Sequence, residues 1–284
     1  MAKTVTLADG TVLPALGMGT WNMGETSAGW KEDVASLRYG VEAGLKVVDT
    51  AEMYGQGRSE SLVGDAVSDM RDKVFLVTKV LPSNATAEGV AKSCRVSLRR
   101  LATDRIDLYL LHWRGSVPLE ETVEAFRKLK EEGLIRYWGV SNFDVKDMLE
   151  LERLTAPCEC VANQILYNLE HRGVEYDLLD TNRFRHVTTM AYSPIGQGGA
   201  LLRNAALKAV AARHTTSTGP ATAAQIALAW VLRVNGVMPI PKATSLVHLK
   251  ENIAAQEITL SDEDLALLDT AFPPPTRKVP LDMI

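Results

Sequence analysis

Short apolar runs alternate with amphipathic stretches along most of this chain. The runs are rich in β-branched residues, which is typical of buried strands. They predict eight strands, in chain order LGMGT, LKVVDT, KVFLVTK, IDLYLLH, IRYWGVS, VANQIL, VTTMAY and VMPI. The amphipathic stretches predict helices over residues 31–43, 59–70, 87–101, 119–132, 144–154, 174–184, 221–234 and 245–254.

This alternation predicts an α/β fold, a (β/α)₈ TIM barrel, because apolar parallel strands must be covered by helices and eight such units close economically. An open, doubly wound sheet is the alternative. The segment around Asp9-Gly10 predicts an N-terminal β-hairpin with a type I′ turn. Two extra helices are predicted over residues 201–213 and 262–270, with Ser261 capping the second. No linker divides the chain, so we expect residues 1–284 to form a single domain.

Composition narrows the classes of partner. A length of 284 residues with 46% hydrophobic content allows a large core, and a net charge of −4 argues against nucleic-acid binding. The three cysteines fit neither a disulfide framework nor a zinc site. Without a signal peptide or a long apolar run, we expect a cytoplasmic protein that binds no membrane and is a monomer.

Polar residues stand where several predicted strands end, and in a barrel these ends face one pocket. Asp49, Lys79 and His112 end the second, third and fourth strands, and Tyr54 lies in the loop beyond Asp49. Any one of them alone is more often a solvated or ion-paired group than a catalyst. Because the three strands are neighbours, the four side chains are expected to meet.

These four residue types suit proton donation to a carbonyl. Lys79 can favour ionisation of the Tyr54 phenol, Asp49 can keep that lysine charged, and His112 can hold a carbonyl oxygen. The set has too few ligands for a metal and no serine in a GxSxG turn. Reduction of a carbonyl group also requires a hydride for its carbon atom. A nicotinamide is the natural cofactor to supply that hydride.

Glycine-rich strings give a weaker signal. Neither Gly17-Met18-Gly19 nor Gly55-Gln56-Gly57 completes the GxGxxG of a dinucleotide-binding fold. The string from Gly196 to Gly199 follows the seventh strand and is either a pyrophosphate-binding loop or an ordinary flexible one.

The motifs VVDTAEMYGQGRSE, VTK, LLHW, WGVSNF, NQILYN, AYSPIGQG and IPKATSLVHLKEN occur in this order. Through them the chain resembles the aldo-keto reductase superfamily, from the hairpin to about Leu268, and within it the small bacterial reductases of the methylglyoxal reductase type. The resemblance implies that Asp49, Tyr54, Lys79 and His112 form a catalytic tetrad. It also implies NADPH as cofactor, with NADH possible.

The resemblance further assigns cofactor contacts. Around the nicotinamide it places Gly19, Thr20, Trp21, Ser141, Asn142, Gln164 and Tyr192. Along the pyrophosphate it places Ser193, Ile195 and Gln197, and at the adenosine end Lys242, Thr244, His248, Glu251 and Asn252. Trp21 and Trp113 are expected to line the substrate pocket, with core packing at the barrel rim as the alternative.

Three features depart from the family pattern. His248 stands where many members place an arginine against the 2′-phosphate, which weakens the expected preference for NADPH. Gly199 stands where several members carry an aspartate across the pyrophosphate, so we expect a less tightly latched cofactor. The tail after Phe272 is short, which favours a small carbonyl substrate over a bulky steroid.

Other functions stay open at the level of sequence. Lys79 could form a Schiff base in a barrel aldolase, because buried strand-end lysines can be nucleophiles. The chain could also be a slowly turning-over, NADP-binding regulatory or redox-sensing barrel, or a binding barrel without chemistry.

Overall fold

The fold is built around one sheet of parallel strands in a computed structural model that describes residues 3–284. An N-terminal hairpin comes first, made of β1 (Thr4–Thr6) and β2 (Val12–Pro14). In this part of the chain the sheet has eight strands: β3 (Met18–Gly19), β4 (Val47–Asp49), β5 (Phe75–Val80), β6 (Ile106–Leu111), β7 (Ile135–Ser141), β8 (Cys160–Leu166), β9 (Thr188–Tyr192) and β12 (Val237–Pro239). Between β9 and β12 the chain forms a separate small hairpin of β10 (Thr215–Thr216) and β11 (Gly219–Pro220).

Backbone hydrogen bonds join the first strand of this sheet to the segment at the last. Gly17 N donates to Pro239 O at 3.0 Å, and Gly19 N donates to Pro241 O at 3.1 Å. A Cβ atom on Gly19 would lie 2.7 Å from the Ile240 carbonyl oxygen, so this close approach requires glycine. The sheet therefore closes into the predicted (β/α)₈ barrel, and the open-sheet alternative is wrong.

Helices cover the outside of the barrel. They are α1 (Trp30–Glu42), α2 (Arg58–Val67), α3 (Ala87–Arg100), α4 (Leu119–Glu131), α5 (Val145–Leu154), α6 (Leu178–Phe184), α7 (Ala205–Ala211), α8 (Ala223–Leu232), α9 (Leu246–Ala254) and α10 (Asp262–Ala271). Predicted caps are confirmed at Asp144 and Ser261, each of which forms a capping box at the start of its helix. In residues 3–284, no helix has both the length and the apolar character needed to cross a bilayer.

Two predicted helices are shorter than expected. The stretch 174–184 begins as a separate 3₁₀ turn, Gly173–Glu175, and only Leu178–Phe184 is α-helical. The stretch 201–213 is divided into a 3₁₀ turn, Leu201–Arg203, and α7, because Asn204 leaves helical geometry and caps α7 through Ala206 N. Helical spacing continues through both breaks, which is why the pattern did not reveal them.

The predicted type I′ turn of the first hairpin is wrong. That turn needs positive φ at two successive residues, whereas here only Gly10 has one, at 88°. Leu7 N donates to Thr11 O and Gly10 N donates to Leu7 O, both at 2.9 Å, so the connection is a three-residue loop ending in a left-handed glycine.

The hairpin covers the N-terminal ends of the barrel strands. Leu7 and Leu13 line a small apolar space together with Val47 and Phe75, the first residues of β4 and β5. Because this end of the barrel is closed by packing, ligand access is expected at the opposite face, where the polar strand ends lie.

Candidate active site

Three of the predicted residues reach the C-terminal face from neighbouring strands. Asp49 ends β4, Lys79 is the penultimate residue of β5, and His112 follows β6 directly. Their exposed fractions are 2%, 0% and 8%. At such depth the charges of Asp49 and Lys79 must satisfy each other, since water does not reach them.

The Lys79 ammonium is the centre of this cluster. Its Nζ donates to Asp49 Oδ2 at 2.8 Å, to the Thr50 carbonyl at 2.8 Å and to Tyr54 Oη at 3.2 Å. All three N–H bonds are thus used. The Thr50 carbonyl was missed at the sequence level, because a backbone oxygen leaves no trace in residue type.

A strained loop brings Tyr54 over the lysine. Tyr54 begins a 3₁₀ turn, Tyr54–Gly57, in which Gly55 and Gln56 have φ of 53° and 57°. Glu52 Oε1 accepts from Leu81 N at 2.7 Å and from Asn84 Nδ2 at 3.0 Å, which ties this loop to the one after β5. Glu52 was also missed; a charged residue two positions before Tyr54 was the available signal.

Burial and charge compete over the protons of this cluster. Burial acts to lower the pKa of Lys79, but the neighbouring Asp49 and Tyr54 outweigh it and raise that pKa, so the lysine is charged. Burial raises the pKa of Tyr54, and Lys79 opposes the rise without cancelling it. The expected net lowering by Lys79 is therefore not seen, and Tyr54 is a protonated phenol with a cation against it.

His112 stands beside the phenol as a neutral ring. The ring centroids of Tyr54 and His112 are 5.9 Å apart with an interplanar angle of 73°. Burial, together with the charge of Lys79, lowers the pKa of His112 to about 2. Its Nδ1 is buried without a hydrogen-bond partner among the described residues. A proton there would leave an unpaired N–H, so the tautomer with the proton on Nε2 is favoured.

The residues assigned to the nicotinamide lie on the next two strands. Ser141 pairs with Gln164 across β7 and β8, and its hydroxyl donates to the Gln164 carbonyl at 2.8 Å. Asn142 Nδ2 donates to the His112 carbonyl at 3.1 Å. Gln164 Nε2 donates to Asp49 Oδ1 at 2.8 Å, so this predicted cofactor residue also touches the buried ion pair.

Tyr192, at the end of β9, lies next to these residues at the C-terminal opening of the barrel, which we call the mouth. Its hydroxyl donates to Asn142 Oδ1 at 3.0 Å, and the ring is half-buried. Gln164 Oε1, by contrast, receives no hydrogen bond from the described part of the chain. It is thus an acceptor available to an amide N–H, such as the carboxamide of a nicotinamide lying against Tyr192.

The two residues that follow β3, Thr20 and Trp21, differ in their surroundings. Thr20 Oγ1 donates to the Asp49 carbonyl at 2.9 Å and accepts from Ser59 Oγ at 2.8 Å, so its hydroxyl is occupied. Trp21 is 42% exposed at the rim. Trp113 lies with its ring 4.9 Å from that of His112. Trp113 thus contacts a residue of the predicted tetrad, and the role of both indole rings as substrate-pocket walls stays a prediction.

The loop after β9 has an irregular backbone. Ser193 and Gln197 have φ of 47° and 56°, and Ile195 packs against the core. The N–H groups of Gly196, Gly198 and Gly199 donate to carbonyls within the loop. These three N–H groups are therefore taken up by the loop's own folding, whereas the N–H groups of Ser193, Ile195 and Gln197 donate to no backbone carbonyl among the described residues.

The five residues assigned to the adenosine end follow β12. Lys242, Thr244 and His248 are exposed, Glu251 is half-buried and Asn252 is buried. His248, Glu251 and Asn252 lie on α9, whose start is capped by Ser245. Exposed cations next to a helix N-terminus can bind phosphate. Among residues 3–284, no three His, Cys, Asp or Glu side chains are grouped so as to hold a metal ion.

The chain is similar to known proteins along almost its whole length. The model of the aldo/keto reductase family matches residues 15–272. Methylglyoxal reductase YeaE of Escherichia coli is 48% identical over 99% of both chains, and glyoxal reductase of Bacillus subtilis is 31% identical over 95% of this chain and 92% of its own. A crystal structure of an aldo/keto reductase from Klebsiella pneumoniae with NADP and acetate has 48% identity and a TM-score of 0.94 over 100% of both chains. This chain therefore belongs to the aldo/keto reductase family.

Proposed function

We propose that this enzyme reduces small aldehydes and ketones with NADPH, and that Tyr54 is the general acid. The observation that supports this most is the Lys79 ammonium, which contacts both Asp49 Oδ2 and Tyr54 Oη beside a neutral His112. Methylglyoxal heads our proposed substrates because the relatives named above act on it or on glyoxal.

The residues at the mouth fit a nicotinamide. The free Gln164 Oε1 suits the carboxamide, the Tyr192 ring offers a flat surface, and Lys242 offers a positive charge for a 2′-phosphate. When bound, the reduced nicotinamide supplies the hydride that a carbonyl carbon accepts. Because His248 stands in place of an arginine, the preference for NADPH over NADH is weaker, and NADH can also serve as cofactor.

The side chains of the enzyme control the oxygen of the substrate. His112 Nε2–H donates to the carbonyl oxygen and holds it next to Tyr54 Oη. As negative charge develops on that oxygen, the phenol donates its proton, and the Lys79 cation stabilises the phenolate that remains. Asp49 keeps Lys79 charged, and Trp21 and Trp113 limit access of water.

The Tyr54→Phe variant tests this proposal. We expect it to lower the rate of NADPH oxidation with methylglyoxal by about 10²–10⁴-fold, the usual contribution of a general acid. Its affinity for NADPH should stay close to that of the wild type, since the ring remains. Tyr176→Phe, which removes a hydroxyl from a residue 50% exposed, is the matched control. Normal turnover in Tyr54→Phe would remove Tyr54 from this role.

The same assay separates the rival functions. Slow turnover by wild-type enzyme despite tight NADPH binding would favour a regulatory barrel. An aldolase needs a neutral, nucleophilic lysine, whereas Lys79 is ion-paired with a raised pKa, so the geometry disfavours it. Borohydride trapping of a carbonyl compound on Lys79 would reverse that assessment.

A cytoplasmic location is likewise a proposal, supported by the three cysteines, which are all free.

A further inference from the structure

The tail of the chain runs over the face of the barrel that carries the site. Lys278 Nζ donates to Asp144 Oδ1 at 2.5 Å and to Asp177 Oδ1 at 2.8 Å. Asp144 stands two residues after Asn142, in the loop that follows β7, and Asp177 lies in the loop that follows β8. A single ammonium thus joins two loops of the mouth. We call residues 277–284 the strap.

A second polar contact extends the strap toward the loop after β9. Asp282 Oδ2 lies 2.9 Å from His171 Nδ1, and His171 N donates to Asn168 Oδ1 at 3.1 Å. Asn168 Nδ2 in turn donates to the Ser193 carbonyl at 2.9 Å. The strap is therefore connected through the loop after β8 to the residue that follows Tyr192.

Apolar and backbone contacts hold the strap close to the barrel. A Cβ atom on Gly173 would lie 2.5 Å from Val279 Cγ2, so the valine packs directly on the glycine backbone. Burial raises the pKa of Tyr192 to about 12, while the backbone of Ile284 beside its hydroxyl acts in the opposite direction. The end of the strap thus reaches the ring proposed to face the nicotinamide.

We propose that Lys278 is a positioning residue for cofactor binding, and that the strap holds the loops after β7, β8 and β9 in the arrangement that the nicotinamide requires. This inference rests on the proposed function. Asn142 lies in the loop after β7, and Tyr192 ends β9 directly before Ser193 in its loop; Lys278 touches none of these three residues. Its effect is preorganisation, since loops already held in place lose less conformational entropy on binding.

The expected magnitude follows from the exposure of the ion pairs. The side chains of Lys278, Asp144 and Asp177 are 37%, 25% and 31% exposed, so each pair is partly screened. Two pairs of this kind change a binding constant by about three- to tenfold. The Asp144 cap of α5 is made with Val145 N and does not depend on the lysine.

The test is a titration of the full chain with NADPH, followed by the quenching of tryptophan fluorescence. Lys278→Ala should raise the Kd for NADPH by about three- to tenfold. Lys278→Arg should restore it, because a guanidinium can bridge the same two carboxylates. Arg277→Ala, which removes a positive charge from the exposed neighbour in the strap, is the matched control and should leave the Kd unchanged. Asp282→Asn, at the second anchor, should change the Kd in the same direction as Lys278→Ala.

Kinetics distinguish positioning from damage to the fold. At saturating NADPH, kcat of Lys278→Ala should equal that of the wild type while the KM for NADPH rises, and its melting temperature should match that of Arg277→Ala. An unchanged Kd in Lys278→Ala would overturn the strap's role, and so would an equal rise in Arg277→Ala. A lower Kd would also overturn it, because the strap would then be a barrier. Failure of the wild type to bind NADPH would instead overturn the proposed function on which this role rests.

Discussion

Lys79 carries a positive charge where no water reaches it, and this placement makes its partners indispensable. A buried ion pair contributes little net stability, but removing one partner leaves the other charge uncompensated. Asp49 has a second support, because Gln164 Nε2 also donates to it. At the scale of single residues, the groups that we propose for catalysis are therefore also groups whose removal is expected to destabilise the fold.

Loss of the lysine charge should destabilise the fold more than loss of the whole pair. We expect Lys79→Met to lower the free energy of unfolding by about 3–5 kcal/mol, and the double variant Asp49→Asn/Lys79→Met to recover most of this. Urea unfolding monitored by circular dichroism measures both. Arg183→Met, which breaks an ion pair whose side chains are 66% and 75% exposed, is the control and should cost less than about 1 kcal/mol. Equal losses in the single and double variants would contradict the prediction.

The neutral state of His112 predicts how stability depends on pH. The pKa of His112 in the folded chain, about 2, lies below the ordinary value of 6.5. Below pH 6.5 the imidazole therefore binds a proton in the unfolded chain but not in the folded one. Stability should therefore fall as pH falls from 6.5. Between pH 7 and pH 5 the wild type should lose about 2 kcal/mol more than His112→Gln, as measured by urea unfolding at both values. Parallel losses in the two proteins would show that His112 titrates normally.

At the scale of elements, the pairing of β7 with β8 sets the geometry around the proposed nicotinamide site. The register shifts between Trp138 and Val140, so that two residues of β8, Val161 and Ala162, lie opposite the single residue Gly139. A Cβ atom on Gly139 would lie 2.4 Å from the Ala162 carbonyl oxygen. The bulge is thus possible only with glycine, and it precedes Ser141 by two residues.

Filling this bulge should disturb both fold and binding. Gly139→Ala is expected to lower the free energy of unfolding by about 1–3 kcal/mol, because backbone must move to admit the methyl group. It should also weaken NADPH binding, since Ser141 and Gln164 follow the bulge on the two strands. Gly29→Ala is the matched control, with only one atom, 4.0 Å away, near its added carbon. Denaturant unfolding and NADPH titration of both variants test this, and equal behaviour would refute it.

How far the sequence predicts these elements depends on what creates them. Strands, most helices and the caps at Asp144 and Ser261 follow from apolar spacing and local polar signals, and they were predictable. The break before Leu178, the bulge at Gly139 and the strap contacts of Lys278 arise from tertiary packing, which periodicity does not encode. The tetrad positions were predictable because strand order fixes which ends are neighbours. The pKa of Tyr54 was not, since burial outweighs the cation that the sequence revealed.

At the scale of the whole molecule, the two ends of the barrel differ in what covers them. The N-terminal hairpin packs against one end with apolar side chains, while the loops and the strap surround the other. The polar cluster of Asp49, Lys79 and His112 therefore lies buried at the face opposite the hairpin. That the chain is a single domain and a monomer stays a prediction, which sedimentation of the purified protein can examine.

The closing contact between β3 and β12 has a consequence for synthesis. Until β12 leaves the ribosome, the partner for Gly17 and Gly19 does not exist, so any sheet that the earlier strands form has two unpaired edges. Such edges are templates for pairing with other nascent chains. A chain stalled before β12 is thus a species prone to aggregation, and chaperones have most to protect in the interval just before the last strand emerges.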